Sequence, residues 1–383
     1  MKLLFLGDVN FRGHENLKYE ESKDILSEVQ PYLDRVNFRI ANLETPLADK
    51  NKYKPIKKSG PNHIYNSENV VFLKALNADA VTLANNHIGD FGEGAVKDTL
   101  DLLDKNNILY SGAGENIEKA YEAFCIKKEG KTVAVISVCE NEFGTSSENK
   151  YGTAGYNPRR LLNQIKKEKS ASDYVIVVFH GGNEFNPLPS TAVTDRYRMI
   201  CDMGADAVIA THTHCPQGYE IYNDKPIVYS MGNFLFKSSC ERHENDTWYY
   251  GYMSELTIDE KISLEVIPYK FNKEATKITV FKNNQRENVM NYLKMLCDII
   301  QNPKELSLYF KGWCMLHKWC PVLPDDYENL DGYNSSGNFN IVSCEAHCDQ
   351  LRELLRLLDN DETEISEKYS EKIKKLMIIN ENQ

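Results

Sequence analysis

Six side chains in this 383-residue chain carry the chemistry of divalent-cation binding: Asp8, Glu44, Asn86, His180, His212 and His214. Each stands at or within a few residues of the end of a short apolar run. Asp8 follows Leu3-Leu4-Phe5-Leu6 and a glycine, Glu44 closely follows Ile40-Ala41, and Asn86 follows Val81-Thr82-Leu83-Ala84. His180 ends the run that starts at Val175, and His212-Thr213-His214 follows Ala207-Val208-Ile209-Ala210. Carboxylates, an amide oxygen and neutral imidazoles are the donors of a two-ion hydrolytic site, in which a shared ligand holds two ions about 3.5–4 Å apart and a water is activated between them. The two histidines at 212 and 214 project from one side if the segment is extended. Taken singly, a strand-end Asp or Asn is more often a cap, and His-x-His is a weak motif. Recurrence at five strand ends is what favours metal-assisted hydrolysis.

Five apolar runs ending in such residues require an open sheet, because ligands gather outside the carboxyl ends of its strands. To about residue 270 strand-like and helix-like patterns alternate, with helices expected at 22–36, 67–77, 92–106, 158–170 and 191–203. Residues 254–258 and 262–269, separated by Asp259-Glu260-Lys261, read as a hairpin added to the sheet. Beyond 270 the character changes. Polar helical patterns at 286–301 and 344–359 flank an irregular part with Pro321, Pro324 and Gly332, and a charged tail at 360–383 reads as a solvent-exposed helix. The division is therefore residues 1–270 as the functional domain and 271–383 as a helical appendage.

Composition bounds the partners. The net charge of -11, from 56 acidic and 45 basic residues, argues against nucleic acid or an anionic membrane. It leaves room for a small anionic substrate, since bound cations reverse the local field. No stretch is long enough for a membrane span. Gly7-Asp8-Val9-Asn10 breaks the apolar start too early for a signal peptide, so a cytoplasmic protein is expected. The ten cysteines are scattered, and Cys125, Cys139 and Cys201 read as reduced core residues. Cys314, His317 and Cys320, with Cys344, His347 and Cys348, have spacings seen in zinc sites. Trp313, Met315, Leu316 and Trp319, and the helical spacing of Cys344, Cys348, Leu351 and Leu355, favour packing instead.

Several residues near the strand ends suit substrate contact. Arg12 can clamp a carboxylate or phosphate. Glu184, after His180-Gly181-Gly182-Asn183, can serve an imidazole N–H, and Ser230 and Asn233 flank Gly232 at another strand end, where they can orient His214. Lys57, Lys58 and His63 lie in an irregular stretch, 49–66, whose simplest reading is a solvated loop, with a basic lid as the alternative.

The ordered blocks Gly7-Asp8, Asn42-Leu43-Glu44, Asn85-Asn86-His87, His180-Gly181-Gly182 and His212-Thr213-His214 resemble the calcineurin-like metallophosphoesterase superfamily. Leu83-Ala84-Asn85-Asn86-His87-Ile88-Gly89-Asp90-Phe91-Gly92 and Pro226-Ile227-Val228-Tyr229-Ser230-Met231-Gly232-Asn233-Phe234 narrow the resemblance to its CapA branch, the poly-γ-glutamate capsule biosynthesis proteins. The resemblance covers about residues 1–270. It implies an α/β fold, the metallophosphoesterase-like four-layer α/β/β/α sandwich, here with a C-terminal helical appendage. It implies one or two divalent ions (Mn, Fe or Zn), with Glu44 in the usual bridging place. Asn86, His180 and His212 would hold one ion, and Asp8 and His214 the other. Asn10 replaces the superfamily's usual first histidine and would be a weaker ligand. His87 would be the catalytic histidine, oriented by Asp90. The implied function is a metal-dependent hydrolase acting on a phosphoester or γ-glutamyl-type substrate, linked to capsule synthesis. The alternatives are a non-catalytic polymer-binding or capsule assembly factor, and a nucleotide phosphodiesterase.

Overall fold

The computed structural model describes residues 1–318, 335–360 and 362–382. The first strand, Lys2–Val9, shows why this chain builds layers. Its residues alternate between faces. Leu3 and Phe5 enter a core with Val135, Ile176, Val178 and Ile209 of a second sheet. Leu4 and Leu6 face the other way, onto Ile25, Phe72, Leu73, Val96 and Leu103 of covering helices.

Phe38–Leu43, Ala80–Thr82 and Leu109–Ser111 continue the first sheet in parallel on one side of Lys2–Val9. Tyr250–Ile258, Ile262–Phe271 and Ile278–Val280 extend it antiparallel on the other, and Asn233–Leu235 pairs with the end of Lys2–Val9. The second sheet runs Tyr219–Tyr222, Lys225–Val228, Ala207–Thr211, Tyr174–His180, Lys131–Cys139 and Phe124–Lys128, parallel through its middle. Helices Pro158–Lys169 and Thr191–Asp202 add Leu161, Ile165, Tyr197 and Ile200 to its core. The architecture is the expected four-layer sandwich. Its parallel strands bring their carboxyl ends to one edge, with Asp8, Asn42 and Thr82 in register in one sheet and Cys139, His180 and Thr211 in the other.

Several local readings need correction. The helix expected over 22–36 is two pieces, Tyr19–Leu26 and Gln30–Asp34, because Pro31 lacks the N–H needed to continue a helix and sits in the first turn of the second piece. The hairpin is longer than 254–269, pairing Tyr250 with Lys270 through to Ile258 with Ile262. The first strand runs through Gly7 to Val9. A Cβ at Gly7 would lie 1.9 Å from the Gly232 carbonyl oxygen, so the glycine permits close backbone approach.

After residue 271, helices Asn283–Ile300, Pro303–Leu316, Ser335–Ser343, Glu345–Asp359 and Thr363–Leu376 follow. Leu293, Leu296, Ile300, Trp313, Leu354 and Ile373 join the inter-sheet core cluster. Pro321, Pro324 and Gly332 lie outside the described residues, as do Trp319 and Cys320 of the cysteine–histidine pattern. Cys314 is buried in the core, Cys344 caps the start of Glu345–Asp359, and its thiol lies 3.3 Å from Glu140 Oε2. Among the described residues no helix is long and apolar enough to cross a membrane.

Candidate metal centre

At the shared edge two groups of ligand atoms converge, Glu44 with His180 and His212, and Asp8 with Glu44 and His214. Glu44 belongs to both. Its Oε1 lies 3.8 Å from His180 Nε2 and 3.8 Å from His214 Nε2. His180 Nε2 also lies 3.0 Å from His212 Nδ1 and 3.1 Å from the Asn86 amide oxygen. Asp8 faces His180 Nδ1 at 3.9 Å and His214 Nδ1 at 3.7 Å. The structure thus gathers all six residues picked out at the strand ends.

The backbone that presents them is unusual at one place. His212 and His214 both have positive φ, 101° and 56°. Non-glycine residues there are strained and tend to mark functional sites. The segment is therefore not extended, and the two rings, 6.1 Å apart, serve different groups of ligands. Part of the support comes from Asp8, whose Oδ2 accepts the His212 backbone N–H at 3.1 Å.

The electrostatics describe a site prepared for cations. Both Glu44 oxygens are buried without a hydrogen-bond donor, as is His212 Nε2. An isolated buried carboxylate is costly and shifts toward its neutral form. Burial, then the charge of Asp8, pushes Glu44 well above the usual carboxylate range. Burial lifts Asp8 to about 7, against the lowering effect of its bond from Asn42. Burial holds His180 and His214 well below the ordinary imidazole value and lowers His212. The imidazoles are thus neutral, as ligands must be, and a cation would offset the carboxylate cost. The donor set fits divalent ions.

Surrounding residues fix the ligands. Asn42 Nδ2 donates to Asp8 Oδ1 at 2.7 Å, and its amide lies 3.3 Å from His180 Nδ1, itself 3.0 Å from the Thr211 hydroxyl. Asn233 Oδ1 accepts from His214 Nδ1 at 2.9 Å. Ser230 instead holds the turn, accepting the Gly232 N–H at 3.2 Å. Asn10, the weaker candidate ligand, donates its Nδ2 to the Glu44 carbonyl and accepts the Arg12 N–H on its Oδ1. Its amide ties two loops of the site together.

Beside the ligands lies a second constellation. His87 Nδ1 is 2.7 Å from Asp90 Oδ2, which also accepts the His63 backbone N–H. Asp90 Oδ1 receives the Lys58 ammonium at 2.6 Å, and Lys58 donates to the Asn86 carbonyl at 2.9 Å. Burial, then the charge of Lys58, lowers His87 well below its ordinary value, so the neutral ring gives Nδ1–H to Asp90 and points Nε2 inward, 4.0 Å from Glu44 Oε1. The 49–66 stretch is therefore not a solvated loop at Lys58 and His63, both of which are buried against His87. Arg12 approaches His63 Nε2 at 3.2 Å and lies over the Phe236 ring.

A cavity of about 340 Å³ adjoins the ligands, lined by Lys58, Asn86, His87, Glu142, Glu184 and, from the C-terminal helices, Asn340 among others. Burial, then the charge of Glu142, lifts Glu184 to about 7. Glu142 Oε1 stands 3.6 Å from His212 Nε2. Sequence reasoning missed Glu140 and Glu142, although the signal exists: Cys139-Glu140-Asn141-Glu142 closes another apolar strand, Lys131–Cys139.

With this geometry in place, the relatives are informative. Residues 2–238 match the model of the bacterial capsule synthesis protein PGA_cap, and the chain belongs to that family. It is 30% identical over 244 residues to the PGA biosynthesis protein CapA of Bacillus subtilis (strain 168), a match covering 62% of this chain and 64% of that protein. It is 26% identical to the capsule biosynthesis protein CapA of Bacillus anthracis, covering 72% and 69%. The match thus spans just under two thirds of the first relative's length. Among solved structures, a putative 5'-nucleotidase from Staphylococcus aureus aligns at 17% identity and a TM-score of 0.45, over 78% of this chain and 58% of that one.

Proposed function

We propose that the chain is a metal-dependent hydrolase in which Glu44 is shared between two divalent ions, Mn, Fe or Zn. The observation that carries this reading is Glu44 itself: a buried carboxylate with no donor on either oxygen, common to two converging ligand groups. Asn86, His180 and His212 would hold one ion, and Asp8 and His214 the other, with Asn10 bracing the loop beneath. Ions bound there would supply Lewis acidity and an activated water.

The remaining work falls to the chain's own side chains. Asp90, ionised beside Lys58, fixes the His87 tautomer. His87 Nε2 is then free to take a proton and return it to a departing oxygen or nitrogen. Asn233 and Thr211 orient His214 and His180. Arg12, stacked on Phe236, supplies positive charge at the rim for an anionic group. The substrate class is a small anionic phosphoester or γ-glutamyl compound, in a role tied to capsule polymer synthesis, and residues 1–270 form the catalytic unit.

The test is elemental analysis of purified protein, then hydrolysis of p-nitrophenyl phosphate and γ-glutamyl-p-nitroanilide with added Mn. Turnover that depends on metal and is lost in His87→Ala is the expected result. Bound metal without His87-dependent turnover would favour a non-catalytic capsule assembly factor, and preference for nucleotide diesters a phosphodiesterase.

A further inference from the structure

The family match ends at residue 238, yet the cavity beside the metal ligands is closed by residues far beyond it. Gly337, Asn340, Ile341 and His347, from helices Ser335–Ser343 and Glu345–Asp359, form one wall. The contacts that hold this wall are not scattered. Asn340 Nδ2 donates to Ser59 Oγ at 3.1 Å, one residue from Lys58. Glu345 accepts from the Asn141 backbone N–H at 2.9 Å and from its Nδ2 at 2.6 Å, one residue from Glu142. Gln350 Oε1 accepts from Asn183 Nδ2 at 2.9 Å, one residue from Glu184. Arg196 then bridges Glu140 at 2.8 Å and Asp349 at 3.3 Å. The first three of these anchors, at Ser59, Asn141 and Asn183, each hold a residue adjacent in sequence to a side chain that lines the cavity.

We infer that helices Ser335–Ser343 and Glu345–Asp359 are the specificity-determining wall of the metal site, limiting it to a small substrate or a chain end. This rests on the proposed hydrolytic reading for the identity of the substrate, and on the cavity geometry for its size. At about 340 Å³ the cavity lies near the lower end of small-molecule sites, about 300–1,000 Å³. Asn340 and Ile341, beyond the family match in sequence, line the cavity and narrow the space beside the ligands. The anchored residues Ser59, Asn141 and Asn183 adjoin Lys58, Glu142 and Glu184 in sequence, so the wall borders the charged side of the cavity.

The experiment uses the full chain loaded with Mn. Ile341→Ala and Asn340→Gly enlarge the cavity, and Ile341→Trp fills it. The probes are p-nitrophenyl phosphate and the bulkier bis(p-nitrophenyl) phosphate, with inorganic phosphate binding and Mn content as readouts of an intact centre. Enlargement should shift the kcat/KM ratio toward the diester by at least about fivefold. Ile341→Trp should raise KM for both esters about tenfold, with phosphate affinity within about twofold of the parent. An unchanged ratio in both enlarged variants, with Mn retained, overturns the inference. If the parent hydrolyses neither ester, the phosphoester form of the hydrolytic reading falls, and size selection is read by calorimetric competition of phenyl and diphenyl phosphate against inorganic phosphate. The same shift then sustains the wall, and no shift, or no competition by either ester, refutes it.

Discussion

His180 Nε2 and His212 Nδ1 stand 3.0 Å apart, two ring nitrogens of neutral imidazoles pointed at each other with the Asn86 oxygen 3.1 Å from the first. Donors about 2.1 Å from one ion in a cis arrangement are separated by roughly 3.0 Å, so these spacings are those of neighbouring ligands on a single cation. His180→Ala or His212→Ala should therefore lower bound Mn by about one ion per chain. His214→Ala, on the Asp8 side of Glu44, should remove the other ion. Elemental analysis after dialysis reads the count. Wild-type metal content in all three variants would refute the ligand assignment.

Glu44 connects the two groups and should show a stability penalty opposite to its role. Its carboxylate is fully buried with no donor. Glu44→Gln removes a group that must take up a proton to be buried, so the metal-free variant should be more stable than the metal-free parent near neutral pH, by about 1–3 kcal/mol. The same variant should lose the Mn-induced gain in melting temperature. Thermal unfolding with and without Mn reads both effects. A Glu44→Gln protein less stable than the parent in chelator would show that Glu44 has a partner of another kind.

What was legible in the sequence was the placement of ligands at strand ends, because an apolar run followed by one Asp, Glu, Asn or His is a local pattern. The backbone of His212 and His214 was not legible: nothing in a His-Thr-His segment signals left-handed φ, which is imposed here by packing and by the Asp8 bond to the His212 N–H. Lys58 and His63 read as loop residues because their burial depends on the chain returning to Asp90, a contact made across 32 and 27 residues. Asn10 occupies a ligand place in the linear pattern, and its bonds to the backbone at Glu44 and Arg12 are revealed only by the fold. Glu140 and Glu142 followed the same local rule as the six ligands and were detectable. The wall formed by Asn340 and Ile341 was not, since no periodicity says which face a distant helix will cover.

In the metal-free protein Asp8 and Glu44 should cost stability as pH rises, while His180, His212 and His214, held below the ordinary 6.5, act in the opposite sense below that pH, so the net loss is expected above it. Asp8 is lifted from 3.8 to about 7, so the folded state retains a proton that the unfolded state releases. Its contribution is fully present below about pH 4 and is lost as pH climbs through about 7. Glu44, also raised well above the usual carboxylate range by burial, adds to the loss. Metal binding requires the ionised carboxylates, so the Mn-induced gain should grow over the same range. Melting temperatures in chelator and in Mn from pH 5 to pH 8 give the two curves. Curves that stay parallel would mean that metal does not displace these protons.

Lys58 and Asp90 form an ion pair with side chains 2% and 0% exposed, and Asp90 also holds His87. Removing one partner of a buried pair strands the other, at a cost of about 3–5 kcal/mol. Lys58→Met should therefore destabilise the fold by about that amount, and Lys58→Met with Asp90→Asn should recover much of it, since the stranded charge is gone. The catalytic consequences differ. His87→Ala should reduce turnover about 10²–10⁴-fold with Mn content unchanged, if His87 moves a proton and holds no ion as proposed. Asp90→Asn should lower kcat with little change in KM, because an amide at Oδ2 can offer N–H to the His87 Nδ1 and invert the tautomer. The double variant should then be stable and slow. A double variant that regains turnover along with stability would show that Asp90 serves the fold alone and that His87 needs no orientation from it.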